Sequence, residues 1–514
     1  MNEASPLPRY ISVPALVGYS MISAVLLILA FPPTDLGPLA WVALVPLFFA
    51  LSQTRTVLQG GLCGFVFALV FFGHYVQFLL PYGTFPWAIA ALYQAFFGFI
   101  FGVAAGPAMR LVRPGWRVLG GATAWTLCAY LRAHAIPIPF TGGDLAFSQF
   151  DQIPILQVVS IVGQFGLTFA IACVNAALSQ ALLGVLPMPL LRADAPLKWW
   201  SQASARVAVA CYVLLILSYI WGAFTIKVRS PEEGQSLEVT VAEGNCSPRA
   251  SVTEEDMERS RLTYLRLSQL VPDETDLTVW PEAALPSYIQ QWPELDLAAR
   301  DAARETGGYL LAGALEDIDG VYYNAAILYD PTGQRVDEYY KVDLVAFGEY
   351  VPFREHLQFL NRYPIRQRDF TPGHERTLMD VKGVKVAPLI CFEAMFPDAS
   401  REICALGAQA IVFMTGDPWE GQTIEPAQHS HTAPIRAVES RRYVCRAATS
   451  GESAIYDPYG EQIASVPVFT EGIATETIYA RDAITPYHRM GDLPLVLIWA
   501  ALYCLAFLRG NRAP

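Results

Sequence analysis

The strongest constraint on this chain is a succession of apolar segments. Seven precede residue 227, at roughly 11–31, 38–52, 58–80, 85–107, 118–136, 153–186 and 207–226, and an eighth runs from about 493 to 508. Each is long enough, or nearly so, to span a bilayer. The sixth exceeds one span, which predicts tilt or an interfacial turn near Pro187 and Pro189. A chain built this way must satisfy its backbone polar groups inside helices wherever it meets lipid. The expected architecture is a multi-span α-helical membrane domain at 1–226, an extramembrane domain at 227–490, and a terminal span with a short tail at 491–514. Met1 to Arg9 leads into an apolar stretch too long for a signal-peptide core, with no cleavage site, so no cleavable signal is expected.

Charge gives the orientation. Arg55 follows the second segment, Arg110, Arg113 and Arg117 follow the fourth, and Arg192, Lys198 and Arg206 follow the sixth. Arg9, Arg509 and Arg512 flank the ends. The alternate loops hold Asp35, Asp144 and Asp151 with no Lys or Arg. The positive-inside rule then puts both termini in the cytoplasm. An odd number of crossings places 227–490 on the other side, against the minority vote of Lys227 and Arg229. The net charge of −12 belongs mostly to that domain. Its acidity argues against nucleic acid as a partner.

The extramembrane stretch reads as α/β. Strand candidates are Leu237–Ala242, Leu277–Trp280, Tyr309–Gly313, Ala325–Tyr329, Lys385–Ile390, Ala410–Met414, Tyr443–Ala448 and Ser453–Tyr456. Several are continuous β-branched apolar runs, as strands covered on both faces require. Helices are expected at Glu254–Gln269, Leu295–Thr306, Pro397–Leu406 and Ala427–Arg442. The turns Asp330-Pro331-Thr332-Gly333 and Asp457-Pro458-Tyr459-Gly460 close two hairpins. The alternation predicts a layered sandwich.

Three segments carry chemistry. Val279-Trp280-Pro281-Glu282 is a strand ending in a carboxylate. Tyr340-Lys341 opens a loop that runs through Phe347-Gly348-Glu349. Leu389-Ile390-Cys391-Phe392-Glu393 is a buried-type strand that delivers a thiol and then an acid. A thiol needs a base, and a carboxylate can serve if burial raises its pKa. The tetrahedral intermediate of acyl transfer needs a cation or donors. Glu282, Lys341 and Cys391 meet those needs without a metal. A lone strand Cys is more often packing than nucleophile, and a lone Glu after a strand is usually a solvated turn residue. Three such residues together, in Gly/Pro-marked contexts, reverse that weighting.

Other signals are weaker. The pair His429 and His431 lacks a third ligand for a metal. His74 and Gln77 lie in an apolar segment, as function or as interhelical hydrogen bonds. Arg132 and Asp144 suit either a lipid head group or a plain structural pair. Cys63, Cys128, Cys173, Cys211 and Cys504 sit in apolar runs, while Cys246, Cys404 and Cys445 share the polar domain with Cys391. Outside the cytoplasm those thiols either pair or tolerate an oxidising space.

The segments Trp280-Pro281-Glu282, Leu344-Val345-Ala346-Phe347-Gly348-Glu349 and Ile390-Cys391-Phe392-Glu393 resemble the WPE, LVPFGE and ICYE motifs of the apolipoprotein N-acyltransferase family, a membrane branch of the nitrilase superfamily. Glu243-Gly244-Asn245, Gly416-Asp417-Pro418-Trp419-Glu420-Gly421, and the run from Gln428-His429 to Arg436-Ala437-Val438-Glu439 resemble further family segments. The resemblance implies an αββα sandwich with Glu282 as base, Lys341 at the oxyanion and Cys391 as nucleophile. It implies Glu349 and Glu393 as supporting acids, with Phe392 and Trp419 at the substrate pocket. It implies a phospholipid acyl donor, an apolipoprotein amine as acceptor, no cofactor, no metal, a monomer, and a bacterial inner-membrane location with the catalytic domain periplasmic. Four departures bear on the substrate: Ala129 in Trp125–Arg132 where the family has an acid, Thr141-Gly142 after Phe140, Ala346 for proline, and Glu420 after the pocket tryptophan. The alternatives are a membrane-anchored amidase or carbamoylase, a paralogue acylating another amine, and a lipid- or lipoprotein-binding protein with a vestigial site.

Overall fold

The computed structural model describes residues 11–185, 203–230, 232–246, 252–356, 368–416 and 423–511. Five described helices are long and apolar enough to cross a membrane: Val57–Tyr75, Thr84–Ala108, Val159–Leu182, Ala205–Lys227 and Leu493–Gly510. Val13–Ile28 and Gly37–Gln53 are shorter apolar helices. Pro114–Ala133 packs among them, with 10 buried positions that include Arg132. The sixth apolar run breaks at its start; the turn expected near Pro187 and Pro189 lies outside the described residues. Ile153–Leu156 forms a separate turn before Val159–Val185, and Gly163 inside the latter has φ 66°. A Cβ at Gly163 would lie 2.2 Å from the Tyr487 ring, so only glycine lets this helix pass the soluble domain.

Small residues hold the bundle together. Gly60 and Gly64 face Gly98 and Gly102, and a Cβ on Gly102 would stand 2.0 Å from the Gly60 carbonyl oxygen. Backbones this close gain dispersion contacts that lipid cannot match. Arg110 Nη1 donates to the Thr54 carbonyl at 3.0 Å, and the Arg113 N–H to the Gly510 carbonyl at 3.1 Å. These basic loops therefore gather at one end of the bundle. The other end carries Tyr75, Pro137 and Thr141, which all touch the α/β domain.

Thirteen strands follow: β1 Ser236–Glu243, β2 Leu277–Val279, β3 Leu285–Tyr288, β4 Tyr309–Ile318, β5 Val321–Tyr329, β6 Arg335–Tyr340, β7 Met379–Val381, β8 Val384–Ile390, β9 Ala410–Thr415, β10 Val444–Ala448, β11 Ser453–Tyr456, β12 Gln462–Val466 and β13 Gly472–Tyr479. One sheet runs β13-β1-β2-β4-β5-β6 with β3 paired to β4, and the other runs β12-β11-β10-β9-β8-β7. Alternating side chains build three layers of core. Val239, Val241, Val279, Val386 and Val412 meet between the sheets. Ala312 and Ile327 lie under the helices Glu254–Ser268 and Pro293–Thr306. Leu389 and Phe413 lie under Pro397–Leu406 and Thr432–Ser440. This is the expected αββα sandwich.

The expected helix Ala427–Arg442 is two helices, Glu425–Ser430 and Thr432–Ser440. Pro434 lacks an N–H and its ring excludes the carbonyl one turn earlier, so the helix breaks there. All nine residues of Thr432–Ser440 are buried. Ala433 and Ala437 pack on the sheet, while Ile435 and Val438 join the core of the membrane bundle. A helix buried all round needs cover on every side, and the bundle supplies the second cover. Arg436, Glu439 and Gln164 close the same contact with hydrogen bonds, including the Gln164 N–H to Glu439 at 2.7 Å.

Candidate active site

Glu282, Lys341 and Cys391 come from three strand ends and meet at one edge of the sandwich. Glu282 follows β2, Lys341 follows β6, and Cys391 follows β8. Lys341 Nζ is 1% exposed and lies 3.4 Å from Glu282 Oε1 and 3.0 Å from Glu349 Oε1. Burial alone would lower the lysine's pKa, but the Glu282 and Glu349 carboxylates outweigh it and, with Cys391 and Glu393, raise it well above its ordinary value. Lys341 is thus a fixed cation that does not titrate at physiological pH.

Asn324, in β5, is the residue the sequence reading missed. Its Nδ2 donates to Glu282 Oε1 at 2.6 Å and to Glu349 Oε1 at 2.8 Å. One amide thus spans the two carboxylates that flank the lysine. The Val345 N–H holds the other Glu349 oxygen at 2.8 Å. The only signal in the sequence was a polar side chain heading the apolar run Ala325–Tyr329. Among the described residues Glu282 Oε2 has no hydrogen-bond partner, and a Cβ on Gly416 would come within 2.7 Å of it. Glycine at 416 therefore lets the chain pass close to that oxygen.

Cys391 has φ 52° at the junction of β8 and a 3₁₀ turn, Cys391–Met395. Ala283 (φ 50°), next to Glu282, and Phe347 (φ 66°), ahead of Glu349, are also left-handed. Non-glycine residues in this region cost about 1–3 kcal/mol each and cluster at functional sites. Glu393 is fully buried and holds the turn. It accepts from the Ile390 N–H at 2.7 Å, Tyr339 OH at 2.7 Å, the Val342 N–H at 2.9 Å, the Asp343 N–H at 3.1 Å and Arg376 Nη1 at 3.0 Å. This one carboxylate ties the nucleophile turn to the lysine loop. It braces backbone and does not bond the Lys341 ammonium.

His429 Nε2 sits 3.1 Å from the Cys391 carbonyl oxygen. His431 instead stacks on Phe150, with ring centroids 3.5 Å apart. The two histidines diverge, and no group of three metal-ligating side chains exists among the described residues. Phe392 packs against the membrane-bundle core together with Met395 and contacts the Phe396 ring at 4.8 Å. The nucleophile turn therefore rests on the bundle. Trp419 and Glu420 lie outside the described residues.

Arg132 and Asp144 are both buried. Arg132 lies over the Phe72 ring and donates to the Gly142 carbonyl at 2.6 Å, and Thr168 bonds Asp144. With Ala129 they line a cavity of about 50 Å³. Both lie inside the bundle, each held by partners of its own. His74 and Gln77 lie within hydrogen-bond reach of each other, at 3.4 Å. Ala346 pairs with Tyr350 as a bridge, so the lysine loop closes without the family's proline. No disulfide joins the described cysteines. Burial pushes the Cys404 and Cys445 thiols up to about 11 and about 12, as inert packing groups require.

Residues 240–485 match the carbon-nitrogen hydrolase family model, and residues 23–177 match the apolipoprotein N-acyltransferase N-terminal domain. Fold and site together define a carbon-nitrogen-hydrolase domain carried on a membrane bundle. A protein from Methylococcus capsulatus named apolipoprotein N-acyltransferase is 30% identical over 430 residues, 83% of this chain and 80% of its own. One of the same name from Geobacter metallireducens is 29% identical over 498 residues, 94% of this chain and 92% of its own. An amidase structure from Nesterenkonia sp. covers 52% of this chain and 97% of its own, with 21% identity and a TM-score of 0.38. This chain belongs to the apolipoprotein N-acyltransferase family.

Proposed function

We propose that the protein is a phospholipid-dependent N-acyltransferase that completes lipoprotein maturation through a thioester on Cys391. Glu282 takes the Cys391 proton. The thiolate attacks an ester carbonyl of the phospholipid, and the Lys341 ammonium faces the developing oxyanion. Collapse expels the lysophospholipid alkoxide, which leaves with the proton held on Glu282. The α-amine of a diacylglyceryl-cysteine then attacks the thioester and gives its proton back through Glu282 to the Cys391 sulfur. Glu349 and Asn324 hold Lys341 and Glu282 in register, Glu393 holds the turn, and Phe392 lies at the substrate pocket.

The observation that carries this reading is the Lys341 ammonium, buried between Glu282 and Glu349 beside a thiol held at a left-handed turn. The contact of Phe392 and Met395 with the bundle core favours a donor that arrives from the bilayer. Each CH₂ kept out of water is worth about 0.8 kcal/mol, so an acyl chain leaves lipid only at high cost. The gathering of Arg110 and Arg113 at the end of the bundle away from the α/β domain supports a periplasmic catalytic domain. The protein acts as a monomer, without metal or cofactor.

Intact-mass spectrometry of the purified enzyme with phospholipid alone tests the proposal. A gain of one acyl chain, labile to hydroxylamine and absent in Cys391→Ala, is the expected result. A folded enzyme with an accessible thiol and no adduct would shift the reading to an amidase, in which water replaces the amine.

A further inference from the structure

The triplet Phe140-Thr141-Gly142 stands where the family carries a different motif, and the proposed chemistry does not use it. The segment is fixed from the membrane side. The Phe140 N–H bonds the Arg132 carbonyl at 3.1 Å, and Arg132 Nη1 bonds the Gly142 carbonyl at 2.6 Å. A Cβ on Gly142 would stand 2.5 Å from the Phe140 ring and 2.9 Å from the Tyr75 ring, so a larger residue would displace the loop. The Tyr350 hydroxyl ties the neighbouring Pro137 carbonyl to the glutamate loop at 3.0 Å.

From this fixed base, Thr141 reaches the active site. Its side chain is 1% exposed, and its Oγ1 donates to the Met395 carbonyl at 3.1 Å. Met395 is the last residue of the turn that begins at Cys391. A residue at positive φ persists only where its surroundings over-determine it. Three grips do so here: Glu393 on the Ile390 N–H, His429 at the Cys391 carbonyl, and Thr141 on the Met395 carbonyl. The first two come from the α/β domain itself. The third is the grip supplied by the membrane domain, and it enters at the opposite end of the turn.

We propose that Thr141 is a positioning residue for Cys391, through which the membrane domain sets the orientation of the nucleophile turn. The inference rests on Cys391 being the nucleophile. Thr141→Val keeps the shape and removes the donor, whereas Thr141→Ser keeps the donor. In the full-length enzyme, Thr141→Val should slow thioester formation about tenfold with an unchanged KM for phospholipid, and Thr141→Ser should restore most of the rate. The pH midpoint for alkylation of Cys391 by iodoacetamide, read by intact mass against Cys391→Ala, should shift in Thr141→Val and return in Thr141→Ser. A wild-type rate and alkylation profile in a folded Thr141→Val would overturn the inference. So would a rise in KM with kcat unchanged, which would make Thr141 part of the lipid path. If Thr141→Val fails to fold, a Thr141→Ser enzyme that folds but stays slow overturns it and one at the wild-type rate upholds it. Product formed by Cys391→Ala would instead sink the nucleophile reading itself.

Discussion

The nucleophile turn has two sides held by different physics. On the α/β side, Glu393 gathers five donors, and Lys341 sits between two carboxylates. These bonds are charge-assisted and buried, which makes them costly to break. On the membrane side the bundle core packs against Phe392 and Met395 of the turn, and Thr141 gives it a neutral hydrogen bond, while nearby Gln428 of the α/β domain donates to the Tyr75 carbonyl of the bundle. Such contacts are individually worth about 1 kcal/mol. The difference fits the proposed division, with the chemistry on the rigid side and placement relative to lipid on the softer side.

Substitutions on the rigid side should have the largest effects. Cys391→Ala should abolish the thioester and lower product formation at least about a thousandfold, read by intact mass and turnover. Lys341→Met leaves Glu282 and Glu349 facing each other without their cation. It should cost about 3–5 kcal/mol of stability and at least about a hundredfold in rate, measured by denaturant unfolding and single-turnover acylation. Unfolding unchanged in Lys341→Met would break the contrast, because the buried charges would then not be holding the site.

Glu393→Gln should cost about 2–4 kcal/mol, since an amide cannot accept both Arg376 and the Ile390 N–H as the carboxylate does. Gly102→Ala in the bundle should destabilise by about 1–3 kcal/mol through overpacking, while alkylation of Cys391 keeps its wild-type pH profile. A changed profile there would mean that the two sides are not separable.

The smallest expected effects concern pH. Lys341 has a raised folded pKa, so its contribution to stability is fully present below its ordinary value of 10.5 and is lost only as pH rises through the higher folded value. Acylation should therefore show no alkaline limb from this lysine below pH 10.5. His134, at the end of a bundle helix, contacts Asp398 at 3.2 Å. Burial lowers the histidine's pKa, but the Asp398 bond, the Tyr130 carbonyl and the nearby Asp398 and Asp492 charges together outweigh it, so the net shift is upward from 6.5. The same contact holds Asp398 down at about 2. The histidine's contribution is complete below 6.5 and fades as pH rises through its folded value. His134→Phe should flatten a small loss of thermal stability above neutral pH, and a residual slope equal to wild type would assign that loss elsewhere.

Much of the fold was legible because burial on both faces writes continuous apolar runs. The central strands β1, β2, β4, β5, β8, β9, β10 and β11 all matched predicted segments. The edge strands β6 and β12 were implied only by the hairpin turns before them, and the strands the sequence hid were the edges β7 and β13 and β3, which lies off the main path. An edge strand is covered less and carries charges such as Arg335, Asp337 and Glu338 on β6, so no apolar run marks it. The apolar segments likewise marked the helices of the bundle, of which five described ones are long and apolar enough to cross a membrane while Val13–Ile28 and Gly37–Gln53 are shorter.

The proposed catalytic residues stand out in the sequence for a related reason. A strand end followed by a polar residue and a Gly/Pro turn is a local pattern, and Glu282, Lys341 and Cys391 each carry it. What tertiary structure alone decided is which polar groups share a space. Asn324 bridges Glu282 and Glu349 across 42 and 25 residues of sequence. Glu393 braces backbone instead of the lysine, His429 meets the Cys391 carbonyl instead of a metal, and Thr141 reaches Met395 across 254 residues. Local sequence sets which side chains can do chemistry. Distances between segments depend on how sheets and helices pack, and no local pattern records that packing.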